Sequence, residues 1–338
     1  MSARAKGASV LVTGGAGYIG SHAVLALLDA GYAPVVLDDL SAGRRDLVPA
    51  GVPFVEGSAG DKPLAVRTLK RHGCRAVMHF AGSVIMPESV DRPLDYYRNN
   101  TANSVELLAA CQETGVAAFI FSSTAAVYGE TAAERLSEDA APAPANPYAR
   151  SKLMAEWAVA DAAEAVGMGY VVLRYFNVAG ADPDGRAGQA SPVATHLIKR
   201  ACQTALGLWS HVDVFGTDYD TPDGTGVRDY IHVSDLAAAH VAALRYLQSG
   251  GPNLTLNCGY GRGHSVTEVL DAVDRVADMA VPRRVRPRRP GDVSRLVADV
   301  SRIADTLDWT PRIGDIDRIV ETALDWERCL QSGNDGAD

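Results

Sequence analysis

The sequence predicts an α/β fold, a doubly wound parallel sheet followed by a smaller C-terminal α/β unit. Three observations carry this. Short apolar runs alternate with longer segments whose apolar residues fall at helical spacing. The runs are apolar almost throughout, as strands covered on both faces must be. Beyond Phe176 the alternation loosens, with Gly and Pro frequent from Gly180 to Pro192 and around Thr217–Gly226.

In order, the strand-like runs are Ser9–Thr13, Pro34–Leu37, Ala76–Phe80, Ala118–Ser122 and Tyr170–Leu173. Helical spacing marks Tyr18–Ala30, Ala65–Arg71, Asn103–Glu113 and Ser151–Val166. The stretch Ala140–Pro147 reads as an exposed loop feeding a helix that starts near Tyr148. In the second part, helices are expected at Ala194–Leu208, Ser234–Leu247, Val266–Met279 and Ile316–Leu330. Short strands are expected at Val212–Phe215, Asn253–Asn257 and Arg284–Arg286. At about 150 residues per domain, 338 residues make roughly two units. The expected division is 8–176 for the first, with later segments returning to it, 177–330 for the second, and a frayed tail at 331–338.

Apolar residues make up 47% and charged residues 22%, which excludes a disordered chain. The net charge of −9 repels phosphate backbones and anionic lipid, so neither nucleic acid nor a membrane surface is expected as a partner. The longest apolar runs, such as Ala76–Ala81 and Ala117–Phe121, fall short of the roughly 18 residues of a spanning helix. The first residues lead into a strand pattern rather than the apolar core of a signal peptide. The cysteines (Cys74, Cys111, Cys202, Cys258, Cys329) are odd in number and form no C-x-x-C pair, so reduced cytoplasm is the expected compartment. His22, His79 and His232 have no metal-ligand spacing; core or hydrogen-bonding roles are expected of them, and no metal.

Directly after the first strand stands Thr13-Gly14-Gly15-Ala16-Gly17-Tyr18-Ile19-Gly20. Glycines at 14, 17 and 20 suit a strand-to-helix turn: one takes positive φ, one admits a pyrophosphate and one packs helix on sheet. The helix-start amides then face the anion. The second strand ends in Asp38, eighteen residues past Gly20. A carboxylate there accepts from ribose hydroxyls and repels a 2′-phosphate, which favours NAD over NADP. This makes the first unit Rossmann-type.

A second constellation is Tyr148-Ala149-Arg150-Ser151-Lys152, with Thr124 at the end of an earlier strand. A free tyrosine, with a pKa near 10, is a poor base at neutral pH, and an ammonium within a few ångströms favours the phenolate. Residues four apart share a helix face, so Tyr148 and Lys152 can address one ligand. The Thr124 hydroxyl can relay the proton.

With both constellations in hand, the chain resembles the extended short-chain dehydrogenase/reductase superfamily and, within it, the UDP-glucose 4-epimerase family. The resemblance runs from about Val10 to Trp326. It rests on Val12–His22, His79-Phe80-Ala81-Gly82, Pro87-Glu88-Ser89-Val90, Phe121–Gly129, Arg174-Tyr175-Phe176-Asn177 and Gly224–Val233, all in family order. It implies NAD-dependent interconversion of UDP-glucose and UDP-galactose. C4 is oxidised, the 4-keto sugar turns over in the site, and hydride returns to its other face. NAD, regenerated each cycle, stays tightly bound. Tyr148 would be the base, Lys152 would hold the nicotinamide ribose and depress the tyrosine pKa, and Thr124 would take the place of the family's Ser or Thr.

The resemblance also implies a cofactor surface of Gly14, Gly17, Tyr18, Ile19 and Gly20 at the pyrophosphate, with Asp38, Asp39 and Ser41 at the adenosine ribose. Ser58 and Ala59 would lie near the adenine, Phe80, Ala81 and Gly82 beside the phosphates, and Asn99, Ser122, Tyr175 and Phe176 would complete it. For the nucleotide sugar it implies Asn177 and Arg228 at the diphosphate, Leu197 and Phe215 at the uracil, and Arg289 with Asp292 at the diphosphate and ribose. His196 would also touch the nucleotide, and Thr124 and Leu296 the sugar. Of the run Arg283–Arg289, one arginine would clamp the diphosphate and the others would be solvated.

Several positions depart from the family pattern. Val84 replaces a lysine near the cofactor phosphates, Ser58-Ala59 an Asp and an apolar residue, and His196 an Asn. Leu296 stands where a bulky Tyr excludes N-acetylated sugars, so room for an acetamido group is expected. Ala125 and Ala126 cannot do the acid–base work of a 4,6-dehydratase, which needs Asp-Glu there. A 4-epimerase of UDP-pentoses or UDP-uronates stays open, as does a non-catalytic NAD-sensing module. The family also implies a homodimer through helices near Pro93–Thr114 and Tyr148–Val166, although Leu107, Leu108, Leu153 and Trp157 can equally pack on their own sheet.

Overall fold

The computed structural model describes residues 7–131, 133–191, 195–289 and 292–334. The chain begins with β1 (Ser9–Thr13), α1 (Tyr18–Asp29), β2 (Ala33–Asp38), β3 (Phe54–Glu56), α2 (Lys62–His72) and β4 (Ala76–His79). Next come α3 (Met86–Asp91), α4 (Pro93–Tyr96), a π-helical turn (Tyr97–Ala102) and α5 (Asn103–Thr114). β5 (Ala118–Thr124), α6 (Pro147–Val166) and β6 (Gly169–Tyr175) end this half. Two helices start earlier than their apolar spacing predicts. The Asp61 carboxylate accepts from Leu64 N–H at 2.9 Å and opens α2 at Lys62. Asn146 likewise accepts from Ala149 N–H at 2.9 Å, and Pro147 at the first helical position adds a turn to α6. That extra turn carries Tyr148.

The second part holds β7 (Asn177–Ala179), α7 (Leu197–Ala205), β8 (Val212–Phe215), β9 (Val227–His232), α8 (Val233–Gln248) and β10 (Leu254–Cys258). It continues through β11 (Gly263–Ser265), α9 (Val266–Ala277), β12 (Arg283–Arg286), β13 (Arg295–Leu296), α10 (Ser301–Thr306) and α11 (Ile316–Asn334). Ala194, the expected start of α7, lies outside the described residues. Helix α11 runs on to Asn334, so of the tail expected at 331–338 only 335–338 falls outside them. No helix among the described residues is long and apolar enough to cross a membrane.

The main sheet is parallel throughout, in the order β3-β2-β1-β4-β5-β6-β10. Alternation along β1 sorts its side chains to two cores. Val10 and Val12 join Val24, Leu27, Leu236 and Ala243 under α1 and α8. Leu11 joins Leu69, Leu107, Cys111 and Val159 under α2, α5 and α6. Strand β10 completes the sheet about eighty residues after β6, paired to it from Leu254↔Val171 to Cys258↔Tyr175. The remaining strands form a sheet of β11, β9 and β13, with β7 on β9, and a pair β12-β8. Helices α7, α9 and α11 pack this part around Ile198, Val269, Val273 and Leu324. The order reverses between β1 and β4, and ligands of open α/β sheets bind beyond the strand ends at such a reversal.

Four buried histidines knit these layers in their neutral form. His22 Nδ1–H donates to Tyr18 O at 2.7 Å, and His240 Nδ1–H to Leu236 O at 2.8 Å. Ser104 gives its proton to Asn100 O, so it accepts from His79 Nε2–H, and His79 Nδ1 accepts from Thr13. His232 Nδ1 accepts from Ser234 N–H. Burial depresses His79 to about 3 and His22, His232 and His240 to about 4. The unfolded chain therefore takes up protons first as pH falls. The stability these groups contribute is full above about pH 6.5 and is lost on the way down to about pH 4. About 2 kcal/mol per histidine should go between pH 7 and pH 5. Urea unfolding should show a much lower midpoint at pH 5; equal midpoints would contradict this account.

Candidate active site

The glycine turn lies where β1 meets the loop after β4. Gly14 sits at φ +71, and a Cβ there would stand 2.6 Å from Ala81 N, so the two loops touch backbone to backbone. A Cβ on Gly20 would stand 2.1 Å from Gly14 O, which presses α1 onto the turn. At Gly17 only Gly14 O, at 3.2 Å, lies within contact range, so this residue faces open space. The first-turn amides of α1 have no intrahelical acceptors. At the end of β2, Asp38 accepts from Ala16 N–H at 2.9 Å and Leu40 N–H at 2.8 Å. Burial pushes its carboxyl up against the pull of those two donors. A carboxylate has lone pairs beyond these two. Open cradle, free amides and terminal carboxylate fit the diphosphate and ribose of an adenine dinucleotide.

The expected cofactor residues cluster around this turn, though not all through their side chains. The Tyr18 hydroxyl donates to Gly180 O at 2.7 Å, so its side chain is engaged away from the turn. Asp39 Oδ1 holds Ser41 through both its N–H, at 3.0 Å, and its hydroxyl, at 2.6 Å. Ser58 Oγ accepts from Gly60 N–H at 3.1 Å, and Ala59 is buried beside it. The Phe80 ring packs 4.7 Å from His240, and Tyr175 hydrogen-bonds the same imidazole, so the Tyr175 side chain belongs to the core. Phe176 packs with Ala125, Val127 and Leu153. Asn99 donates to Ser83 Oγ at 2.8 Å, and its neighbour Asn100 accepts from Ser83 N–H at 2.7 Å and donates to Ser151 Oγ at 3.0 Å. The π turn lets both consecutive asparagines serve the Gly82–Ser83 loop. Val84 is 57% exposed and offers that loop no charge.

Beyond the end of β5, Thr124 accepts from Ala126 N–H at 3.1 Å and is the side chain that favours ionisation of the Tyr148 phenol. The Tyr148 ring meets Tyr96 edge-on at 6.4 Å. Lys152, one turn along α6, donates to Ser122 O at 2.8 Å and lies 4.9 Å over the Phe121 ring. A Cβ on Gly82 would stand 3.6 Å from Lys152 Nζ, so the ammonium borders the cofactor loop. Burial lowers Lys152 to about 8, with Glu156 pulling the other way. Burial raises the Tyr148 phenol and Thr124 lowers it. In this structure Lys152 meets Ser122 O and Phe121, and Thr124 is the group that eases the phenol.

The residues expected at a nucleotide sugar fall in two groups. Asn177, His196 and Leu197 line a cavity of about 50 Å³ together with Tyr18, Tyr230 and Trp326. The surrounding protein, and Lys199 next, hold the His196 imidazole below the usual histidine range. In the second group, Arg228 on β9 pairs with Asp292 and donates to Val293 O at 2.7 Å. Leu296 on β13 is the register partner of Arg228 and packs against the cluster of Ala125, Val127 and Phe176, next to Thr124. Arg289 stacks 3.7 Å over the Phe215 ring, and burial lowers its guanidinium. The other arginines of that run are not simply solvated. Arg283 pairs with Asp271 and Asp274, Arg284 and Arg286 with Asp213, and Arg288 with Asp218.

Two site residues escaped the sequence reading. Glu156 and Arg174 form a buried pair directly beneath the Tyr148–Lys152 face. Their signal was a carboxylate four residues past Lys152 on an otherwise apolar helix stripe.

The model of the NAD dependent epimerase/dehydratase family matches residues 10–259. A UDP-glucose 4-epimerase of Azospirillum brasilense is 58% identical over 322 residues, covering 95% of this chain and 92% of the relative. Among solved structures, the Brucella ovis UDP-glucose 4-epimerase in complex with NAD is 46% identical with a TM-score of 0.91, covering 94% of this chain and 98% of that one. The UDP-Glc/GlcNAc 4-epimerase of Campylobacter jejuni is 43% identical with a TM-score of 0.84, covering 96% and 100%.

Proposed function

Because the chain belongs to the NAD dependent epimerase/dehydratase family, we propose that it interconverts UDP-glucose and UDP-galactose at C4. The observation that carries this reading is the placement of Tyr148 and Lys152 one turn apart on α6, with Thr124 at the C-terminal end of β5 and the Lys152 ammonium against Gly82. NAD supplies hydride acceptance and return at the sugar C4. Tyr148 takes the C4 hydroxyl proton and later gives it back, and Thr124 bridges phenol and sugar oxygen. The Lys152 ammonium serves the cofactor ribose and keeps positive charge near the phenolate as it forms. Arg228 and Arg289 supply charge for the diphosphate, with Phe215 and Leu197 as apolar surface for the base. Alanines at 125 and 126 leave no acid for elimination, so the keto sugar has no exit except reduction.

The test is direct. Purified protein should carry nicotinamide visible by absorbance and fluorescence, and should epimerise UDP-galactose with no cofactor added. A cofactor-laden protein that leaves UDP-galactose unchanged would favour the NAD-sensing module instead. Leucine at 296, smaller than tyrosine, leaves space for an acetamido group. UDP-N-acetylgalactosamine should therefore turn over at a rate comparable to UDP-galactose, and Leu296→Tyr should abolish only the former. No turnover of the acetylated sugar by the parent protein would overturn the wider range.

We further propose that two copies associate through α5 and α6. Leu107, Leu108 and Leu153 are buried in their own subunit, which removes them from the expected interface. Trp157 is 59% exposed on α6, with Met154 beside it and Val105 exposed on α5. Large apolar side chains exposed on adjacent helices suit a self-complementary contact. Trp157→Glu should convert a sedimenting dimer to monomer; a parent protein that sediments as monomer would contradict the pairing. Five free cysteines, four of them buried, suit the reducing cytoplasm in which we place the reaction.

A further inference from the structure

Under the catalytic face of α6 lies a second, buried layer of charge. Glu156 and Arg174 are each 6% exposed. Arg174 grips the carboxylate with two donors, Nε to Oε1 at 3.1 Å and Nη2 to Oε2 at 2.7 Å. Ser123, the residue before Thr124, donates to the same Oε1. Ser123 and Arg174 are register partners on β5 and β6, so the carboxylate ties α6 to both strands where they end at the site. The guanidinium also lies 4.9 Å over the Tyr128 ring, whose hydroxyl donates to Asn257 on β10 at 2.7 Å. Replacing such a pair by apolar residues is often neutral for stability, so packing alone does not require it.

We infer that Glu156 is a positioning residue that, clamped by Arg174 and Ser123, keeps Lys152 an ammonium and fixes α6 against the strand that carries Thr124. Residues four apart on a helix are neighbours, so the carboxylate stands one turn below the amine. The other titratable groups around Lys152 cannot replace it. Tyr148 on the same helix is held protonated by burial, as is Tyr175 at the end of β6. His79 from β4 is neutral, and Arg174 is itself cationic. Glu156 is the carboxylate that counters the desolvation of Lys152.

What Lys152 is for rests on the proposed epimerase reading; that its charge depends on Glu156 does not. The chain has only five lysines, so ¹³Cε-lysine NMR resolves the titration of each in protein without substrate. Lys152→Arg identifies the Lys152 signal. In the parent its midpoint should lie at about 8. In Glu156→Gln, which keeps the shape and one acceptor, the midpoint should fall by about one unit. Lys199, paired with Glu327 far along the chain, should not move. Should the single variant fail to fold, Glu156→Leu with Arg174→Leu removes both charges together, and Lys152 should again titrate lower. An unchanged or raised Lys152 midpoint in either folded variant overturns the inference, even where the melting temperature drops. A shifted midpoint in a protein inert toward UDP-galactose keeps this inference and removes the proposed reaction.

Discussion

Tyr148→Phe should slow UDP-galactose epimerisation by about a hundredfold to ten-thousandfold, the range a positioned acid–base group contributes. The change deletes one oxygen. Its ring can keep the edge-on contact with Tyr96, and α6 keeps its Asn146 cap and Pro147 start. The fold and the bound nicotinamide should therefore survive, and only proton transfer should fail. Thr124 cannot stand in, because its hydroxyl has no base to pass the proton to once the phenol is gone. The measurement is kcat beside the cofactor stoichiometry of the purified variant. A full complement of nicotinamide with unchanged kcat would remove Tyr148 from the chemistry.

Gly14→Ala should cost both stability and cofactor. The residue sits at φ +71, where an L side chain costs about 1–2 kcal/mol. Its Cβ would also meet Ala81 N at 2.6 Å, an overlap with backbone that cannot rotate away and adds about 1–3 kcal/mol. Relief requires the turn and the Phe80–Gly82 loop to part, and the proposed dinucleotide site lies between these two loops. The purified variant should carry little nicotinamide and melt several degrees below the parent. Full occupancy at an unchanged melting temperature would show that the loops do not need this contact.

Much of this was visible in the residues, for identifiable reasons. Ser9–Thr13 and Val212–Phe215 match β1 and β8 end to end, because compact apolar runs bounded by turns leave little freedom in placing a strand. The helix start at Lys62 lies outside the apolar stripe because capping by Asp61 and tolerance of proline in the first turn set it, whereas the start expected near Tyr148 falls within one residue of Pro147. Nothing in Tyr97–Ala102 announces a π turn, whose extra residue is compatible with an ordinary helical pattern. Arg284, Arg286 and Arg288 read as solvated because their partners Asp213 and Asp218 lie about seventy positions away. Separation along the chain also hid the grip of Arg174 on Glu156, eighteen positions apart. Local rules located the site; long-range partners set its charges.

The return of β10 to the edge of β6 also bears on how the chain is made. Until residue 258 has left the ribosome, the nascent sheet ends at β6 with its main-chain donors and acceptors bare. Helix α8, which covers that side of the sheet, arrives only just before it. Truncation after the first 180 residues should therefore leave the edge of β6 unpaired and prone to self-association.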